Sequence, residues 1–123
     1  MDKNQLYLSA IDPHAARLAR KYGLGLELSE FCTAWNLDDE FEETDRLVRK
    51  EMEGISRFTL HGPFNELFPC AVDRKARALA FSRYVQTIEI AAHYGIKKLI
   101  FHGGIFFFIM LPSILSKLSI FTH

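Results

Sequence analysis

Phe58-Thr59-Leu60-His61-Gly62-Pro63-Phe64 and Lys98-Leu99-Ile100-Phe101-His102-Gly103-Gly104 are the stretches whose reading decides the fold. Each is a short, β-prone apolar run that ends in a histidine, with glycine immediately after. The residues between them follow helical spacing, so the pair reads as strand–helix–strand. Such a unit sets its strands side by side and parallel, with both histidines at the carboxyl end. That end is where open α/β sheets and barrels place their ligands.

The intervening helix is expected to begin near residues 71–73 and to run to about Tyr94, where Gly95 stops it. Leu79, Phe81, Tyr84, Val85, Ile88, Ala91 and Ala92 are its expected buried face, with Arg74, Lys75, Arg77, Arg83 and Gln86 turned mostly away. Upstream, residues 24–28 alternate as a strand that carries Glu27. A loop with Cys32, Trp35 and Asn36 follows. Asp38 or Asp39 can cap a helix that runs through Glu53, with Phe41, Val48, Met52 and Ile55 as its apolar side. Residues 6–10 form a first strand, and Asp12-Pro13 reads as N-cap and first helical position of a helix ending at Gly23. Residues 96–101 form the last strand. The whole is βαβαβαβ, an α/β fold of parallel (β/α) repeats, and the pattern alone leaves a doubly wound sheet and a barrel both open.

A chain of 123 residues is about one domain. Its formal net charge is zero, which argues against nucleic acid as the main partner, because phosphate binding usually leaves a basic excess. The two cysteines, Cys32 and Cys70, form no CxxC pair, so neither a disulfide framework nor a cysteine zinc site is indicated. A cytoplasmic location is the expectation, since the polar start leads into a run too short for a secretory leader. Beyond Gly104, Lys117 is the only charged residue. Residues 105–123 therefore form an apolar tail, foreign in composition to residues 1–104.

Leu60-His61-Gly62-Pro63-Phe64, Asp73 opening a long helix, Ile90-Ala91-Ala92-His93-Tyr94-Gly95, and Phe101-His102-Gly103-Gly104 together resemble the xylose isomerase-like TIM-barrel superfamily. That group includes sugar-phosphate isomerases and epimerases and metal-dependent apurinic endonucleases. The segment around Glu27 is similar to the family's second strand, which commonly carries a glutamate. The resemblance spans roughly residues 5–104. A complete (β/α)₈ barrel takes about 250 residues, so it implies an incomplete TIM barrel of about four βα units, its N-terminal half. The tail then reads as an aberrant ending on a truncated form.

Adjacent parallel strands lie about 4.8 Å apart, so histidines at neighbouring strand ends can address one point. Neutral imidazole suits zinc and similar ions, and a catalytic site takes about three protein ligands plus an open position. His61 and His102 supply two, an incomplete metal site. The resemblance implies a divalent metal (zinc, manganese or magnesium), bound by this pair in the nuclease branch, and a sugar pocket lined by first-half residues in the isomerase branch. Hydrogen bonding to a loop carbonyl is the plainer role for either histidine. Glu27 is the candidate catalytic carboxylate, with solvent exposure on an edge strand or pairing with a base as the alternatives, and Glu30 as the other occupant. Trp35 is a candidate wall for a sugar face, and Phe64 another, each weighed against simple packing. Cys32 and Cys70 lack an evident base and are not read as nucleophiles.

The expected function is therefore that of a sugar phosphate isomerase/epimerase-like protein, moving a proton next to a carbonyl with metal assistance and acting on a small sugar or sugar phosphate. Two alternatives stand beside it: an apurinic-site endonuclease-like DNA repair protein, and a non-catalytic half-barrel. A membrane span is not expected in the tail, which is short, interrupted by Pro112 and charged at Lys117. A homodimer formed through the open barrel edge is the partner to test.

Overall fold

A computed structural model of the protein describes residues 1–103. Strands β1 (Tyr7–Ser9), β2 (Gly25–Leu28), β3 (Phe58–His61) and β4 (Leu99–Ile100) form one parallel sheet in the order β1-β2-β3-β4. Helices α1 (Ala15–Tyr22), α2 (Ala34–Asp38), α3 (Phe41–Met52) and α4 (Arg74–Tyr94) lie in the connections. Mixed α/β architecture with parallel βα repeats is thus as expected. The strand order never reverses, which removes the doubly wound alternative for these four strands.

Register explains the layering. Leu8 pairs with Leu26 and Leu26 with Phe58, while Leu28 pairs with Leu60 and Leu60 with Leu99. Because strand side chains alternate, these residues share one face. Leu26, Leu28 and Leu60 are fully buried there against Ala15 and Ala19 of α1, Val48 of α3, and Ile90 and Ala91 of α4. All three long helices therefore cover the same face. The opposite face carries the row Ser9, Glu27 and Thr59, and His61 stands on it two residues beyond Thr59.

Several expected boundaries shift for local reasons. The first strand is three residues long, and α1 starts at Ala15 rather than after Asp12, with His14 in the capping position and no side-chain cap. Asp12 instead accepts the His14 N–H at 2.8 Å, closing a turn before the helix. The expected loop at Trp35 and Asn36 is a 3₁₀ turn, Glu30–Cys32, followed by α2, whose N-cap Thr33 accepts from the Asn36 N–H. Asp38 and Asp39 do not cap α3; Asp38 ends α2, and Glu40 precedes α3 without a side-chain cap. Arg20 of α1 closes the other end of α3, donating to the carbonyls of Lys50, Glu51 and Glu53. The last strand spans Leu99–Ile100, shorter than the expected 96–101.

α4 starts at its Asp73 cap and ends at Gly95, whose φ of 69° puts it in the left-handed region that favours glycine. Of its expected buried face Ala91 is buried and Tyr84 half-buried, while Leu79, Phe81, Val85, Ile88 and Ala92 are exposed; Ala80, Thr87 and Ile90 turn inward instead. Room is tight where Thr87 of α4 faces Gly62, just past β3. A Cβ on Gly62 would meet the Thr87 Oγ1 at 3.1 Å and the Phe101 ring at 2.8 Å. Arg83 and Gln86, expected to point away, reach across to Asp38 at 2.8 and 3.0 Å.

The apolar tail, residues 105–123, and with it the expectation that it does not span a membrane, lies outside the described residues. Among the described residues, no helix is long and apolar enough to cross a membrane.

Candidate functional site

His61 ends β3, and its ring is buried at the carboxyl edge of the sheet. His102 follows β4 and is exposed. Pairing of Leu60 with Leu99 and of His61 with Ile100 brings the two imidazoles together, so that His61 Nε2 lies 3.0 Å from His102 Nε2. The other nitrogen of His61, Nδ1, is 2.8 Å from the carbonyl oxygen of Gly62. A carbonyl only accepts, so Nδ1 carries the proton and donates, leaving the Nε2 lone pair free. His102 Nε2 can donate to it, or both nitrogens can turn their lone pairs on one electrophile. Phe64, three residues past His61, stacks on His102 with centroids 4.3 Å apart and meets His61 edge-on at 5.2 Å. Tyr84 of α4 donates to the His102 carbonyl at 2.9 Å, fixing the second histidine from behind.

Cys32 sits on the far side of His61, with Sγ 3.2 Å from Nδ1. The expectation that it lacks a neighbouring base is corrected by this contact. It is still no nucleophile, because burial, followed by the charges of Glu27 and Glu30, pushes its thiol up to about 12. The thiol stays protonated and lies on the Nδ1 side, so it cannot share a ligand with the two Nε2 atoms.

Glu27 stands on the histidine-bearing face, half-buried, and accepts from Ser9 Oγ at 3.4 Å. β2 is an interior strand, which removes the edge-strand reading, and among the described residues no base forms an ion pair with Glu27. No hydrogen bond joins it to either histidine among the described residues. Next to it in register, the Thr59 hydroxyl is buried and has no hydrogen-bond partner among them. Glu30 is turned toward the helix layer instead, away from the histidines. Burial, reinforced by the neighbouring Glu51 carboxyl, raises its pKa to about 8. Trp35 is exposed on α2 and lines a cavity of about 370 Å³ with Cys32, Pro63, Leu79 and Arg83. That cavity lies on the Cys32 side of His61, so Trp35 is not brought to the Nε2 pair.

Of the candidate residues, His61 and His102 are thus brought together, Glu27 shares their sheet face, and Trp35 stands apart. Ser9 and Thr59 join this face as well; their signal in the sequence is the period-two alternation, which puts residues 7 and 9, and residues 59 and 61, on one face. Among the described residues no group of three or more His, Cys, Asp or Glu side chains could hold a metal ion.

No family model matches the chain, and no curated protein matches it. It is similar in fold to a Thermus thermophilus protein, TTHB071, solved with ZnCl₂ soaking. The two superpose with a TM-score of 0.61 at 20% identity, over 84% of this chain. This chain spans 40% of the length of the Thermus chain. At that identity the likeness establishes the arrangement of strands and helices alone.

Proposed function

We propose that this chain carries the first half of a sugar or sugar-phosphate isomerase/epimerase site, on four βα units of a TIM barrel of the xylose isomerase-like kind. The observation that carries the reading is the 3.0 Å approach of His61 Nε2 and His102 Nε2 at the carboxyl end of neighbouring parallel strands. Unreversed strand order and helices on a single face support the barrel.

The donor set fits a divalent ion in part. Tetrahedral zinc with bonds of about 2.0–2.1 Å holds neighbouring nitrogens a little over 3 Å apart, close to the separation here. The Gly62 carbonyl on Nδ1 supplies the outer-shell bond that commonly orients a ligating histidine. The Thr59 hydroxyl, without a partner among the described residues, is a further polar group on the same face. A bound ion would polarise a substrate carbonyl oxygen. His61 and His102 would hold the ligand from one side, Phe64 would fix the His102 ring, and Glu27 is the carboxylate on that face able to take a proton. Zinc is the first ion to try, given the zinc-soaked Thermus neighbour, with manganese and magnesium next.

The absence of a third metal-binding side chain among the described residues favours a second reading, a non-catalytic half-barrel that binds without turnover. Metal analysis of the purified full chain, followed by assay of ketose phosphates and of abasic DNA with each ion, separates the readings. Isomerisation lost in His61→Ala is expected. Cleavage of abasic DNA instead would place the chain in the nuclease branch, and bound metal with no turnover would leave the half-barrel.

A further inference from the structure

The amino edge of the sheet, at the opposite end from the histidines, gathers positive charge. Tyr7 opens β1 and pairs in register with Gly25 of β2. A Cβ on Gly25 would collide with the Tyr7 ring, so the glycine lets that ring lie across β2. There it meets Arg57, just before β3, and Lys98, just before β4. The Arg57 guanidinium lies 5.8 Å and the Lys98 ammonium 5.4 Å from the ring centroid. A residue of β1 thus reaches one beside β4, with two strands between them.

Arg57 is fixed in place. Its Nη1 donates to the Asn4 carbonyl, and its Nη2 donates to those of Lys3 and Gly23 at 3.3 and 2.8 Å. These carbonyls hold the side chain but carry no full charge to neutralise it. Lys98 Nζ donates to Tyr7 Oη at 3.2 Å. The phenol oxygen accepts there, so its own proton remains to be donated, as do the other two of the ammonium. Tyr7, Arg57, Lys98 and the neighbouring Lys97 line a cavity of about 490 Å³. No carboxylate lines it, and among the described residues none of the three cations forms an ion pair. Glu27, one row further along the strands, is not part of the lining.

Three positive charges and spare donors, with no counter-charge beside them, suit an anion that accepts from several sides. A phosphate group meets that description better than a carboxylate, since it brings more oxygens and close to two negative charges. We infer that this cavity is a phosphate-binding site, formed by Lys97, Lys98, Tyr7 and the fixed charge of Arg57, and separate from the imidazole pair. His61 closes β3 at its carboxyl end, whereas Arg57 precedes that strand, so the two sites occupy opposite ends of the sheet. Phosphate binding here needs neither a metal nor His61.

The test titrates the full chain, without metal, with inorganic phosphate and separately with glycerol phosphate. Backbone amide shifts are followed by ¹H–¹⁵N spectra, with ionic strength held constant by sodium chloride. Expected are saturable shifts at Tyr7, Arg57, Lys97 and Lys98, with His61 and His102 unmoved. Lys97→Ala/Lys98→Ala is expected to weaken binding about tenfold and Tyr7→Phe about threefold. Lys75→Ala, at the start of α4, and His61→Ala leave it unchanged. Tighter binding of glycerol phosphate assigns the site to a phosphate monoester, and equal or weaker binding assigns it to the free ion. Shifts that do not saturate, or that chloride alone reproduces, overturn the site. Equal weakening in Lys75→Ala and the double variant also overturns it, and loss in His61→Ala places the anion at the histidines instead. Should the double variant lose its circular dichroism, Lys98→Gln asks the same question while keeping most of the side chain.

Discussion

The two faces of one sheet divide the labour in this protein. On one, Leu26, Leu28 and Leu60 are fully buried beneath α1, α3 and α4. On the other, Ser9, Glu27, Thr59 and His61 stand in polar company. The same strands supply both, one residue apart, because β side chains alternate. Mutations can therefore be sorted by parity: a change at Leu60 acts on folding, and a change at its neighbour His61 acts on the ligand proposed for the imidazole pair.

The sharpest break of that comparison is on the apolar face. Leu60→Ala leaves a void where no exposed side chain can collapse, and is expected to cost about 3 kcal/mol in chemical unfolding. An intermediate effect comes from Glu30, the carboxyl lodged on the helix side. Its pKa stands at about 8 in the folded chain against an ordinary 4.5. Between those values the folded state keeps a proton that the unfolded state has released, so stability falls as pH rises from 4.5 to 8 and the loss is complete above. Glu30→Gln removes this dependence and is expected to stabilise the protein clearly more near pH 8 than near pH 4.5. Parallel melts at the two pH values check it, and equal gains would contradict it. The smallest effect belongs to the polar face. Thr59→Val replaces a buried hydroxyl that lacks a partner among the described residues, and is expected to stabilise the ligand-free protein by about 1 kcal/mol. A loss of stability there would mean that the hydroxyl is bonded after all.

Sequence patterning made the strands and their parallel sense legible, because apolar runs ending in histidine and glycine have few other readings. It also placed His61 and His102 at one end. Their Nε2-to-Nε2 approach was not legible, since it depends on the register of Leu60 with Leu99, which pattern does not set. α4 was misread for a physical reason. Hydrophobicity picks out Phe81, Val85 and Ile88, but the helix is rotated so that Ala80, Thr87, Ile90 and Ala91 face inward, with Thr87 set close against Gly62. Cys32 escaped notice as a neighbour of His61 because the contact joins residues 29 positions apart. Glu30, the alternative to Glu27, lies past the end of β2 in the 3₁₀ turn Glu30–Cys32, where its carboxyl meets Glu51 of the helix layer and not the histidines.

The most direct test addresses the two imidazoles themselves. Long-range ¹H–¹⁵N spectra of the histidine rings, recorded on the full chain with and without Zn²⁺, report which nitrogen is protonated and which meets the ion. Expected are a proton on His61 Nδ1 in the free protein and zinc-induced shifts at the Nε2 atoms of His61 and His102 together, with His14 and His93 unmoved. A proton on His61 Nε2, or zinc shifts at His14 or His93 in place of the pair, would contradict the convergence of His61 and His102 on one ligand point.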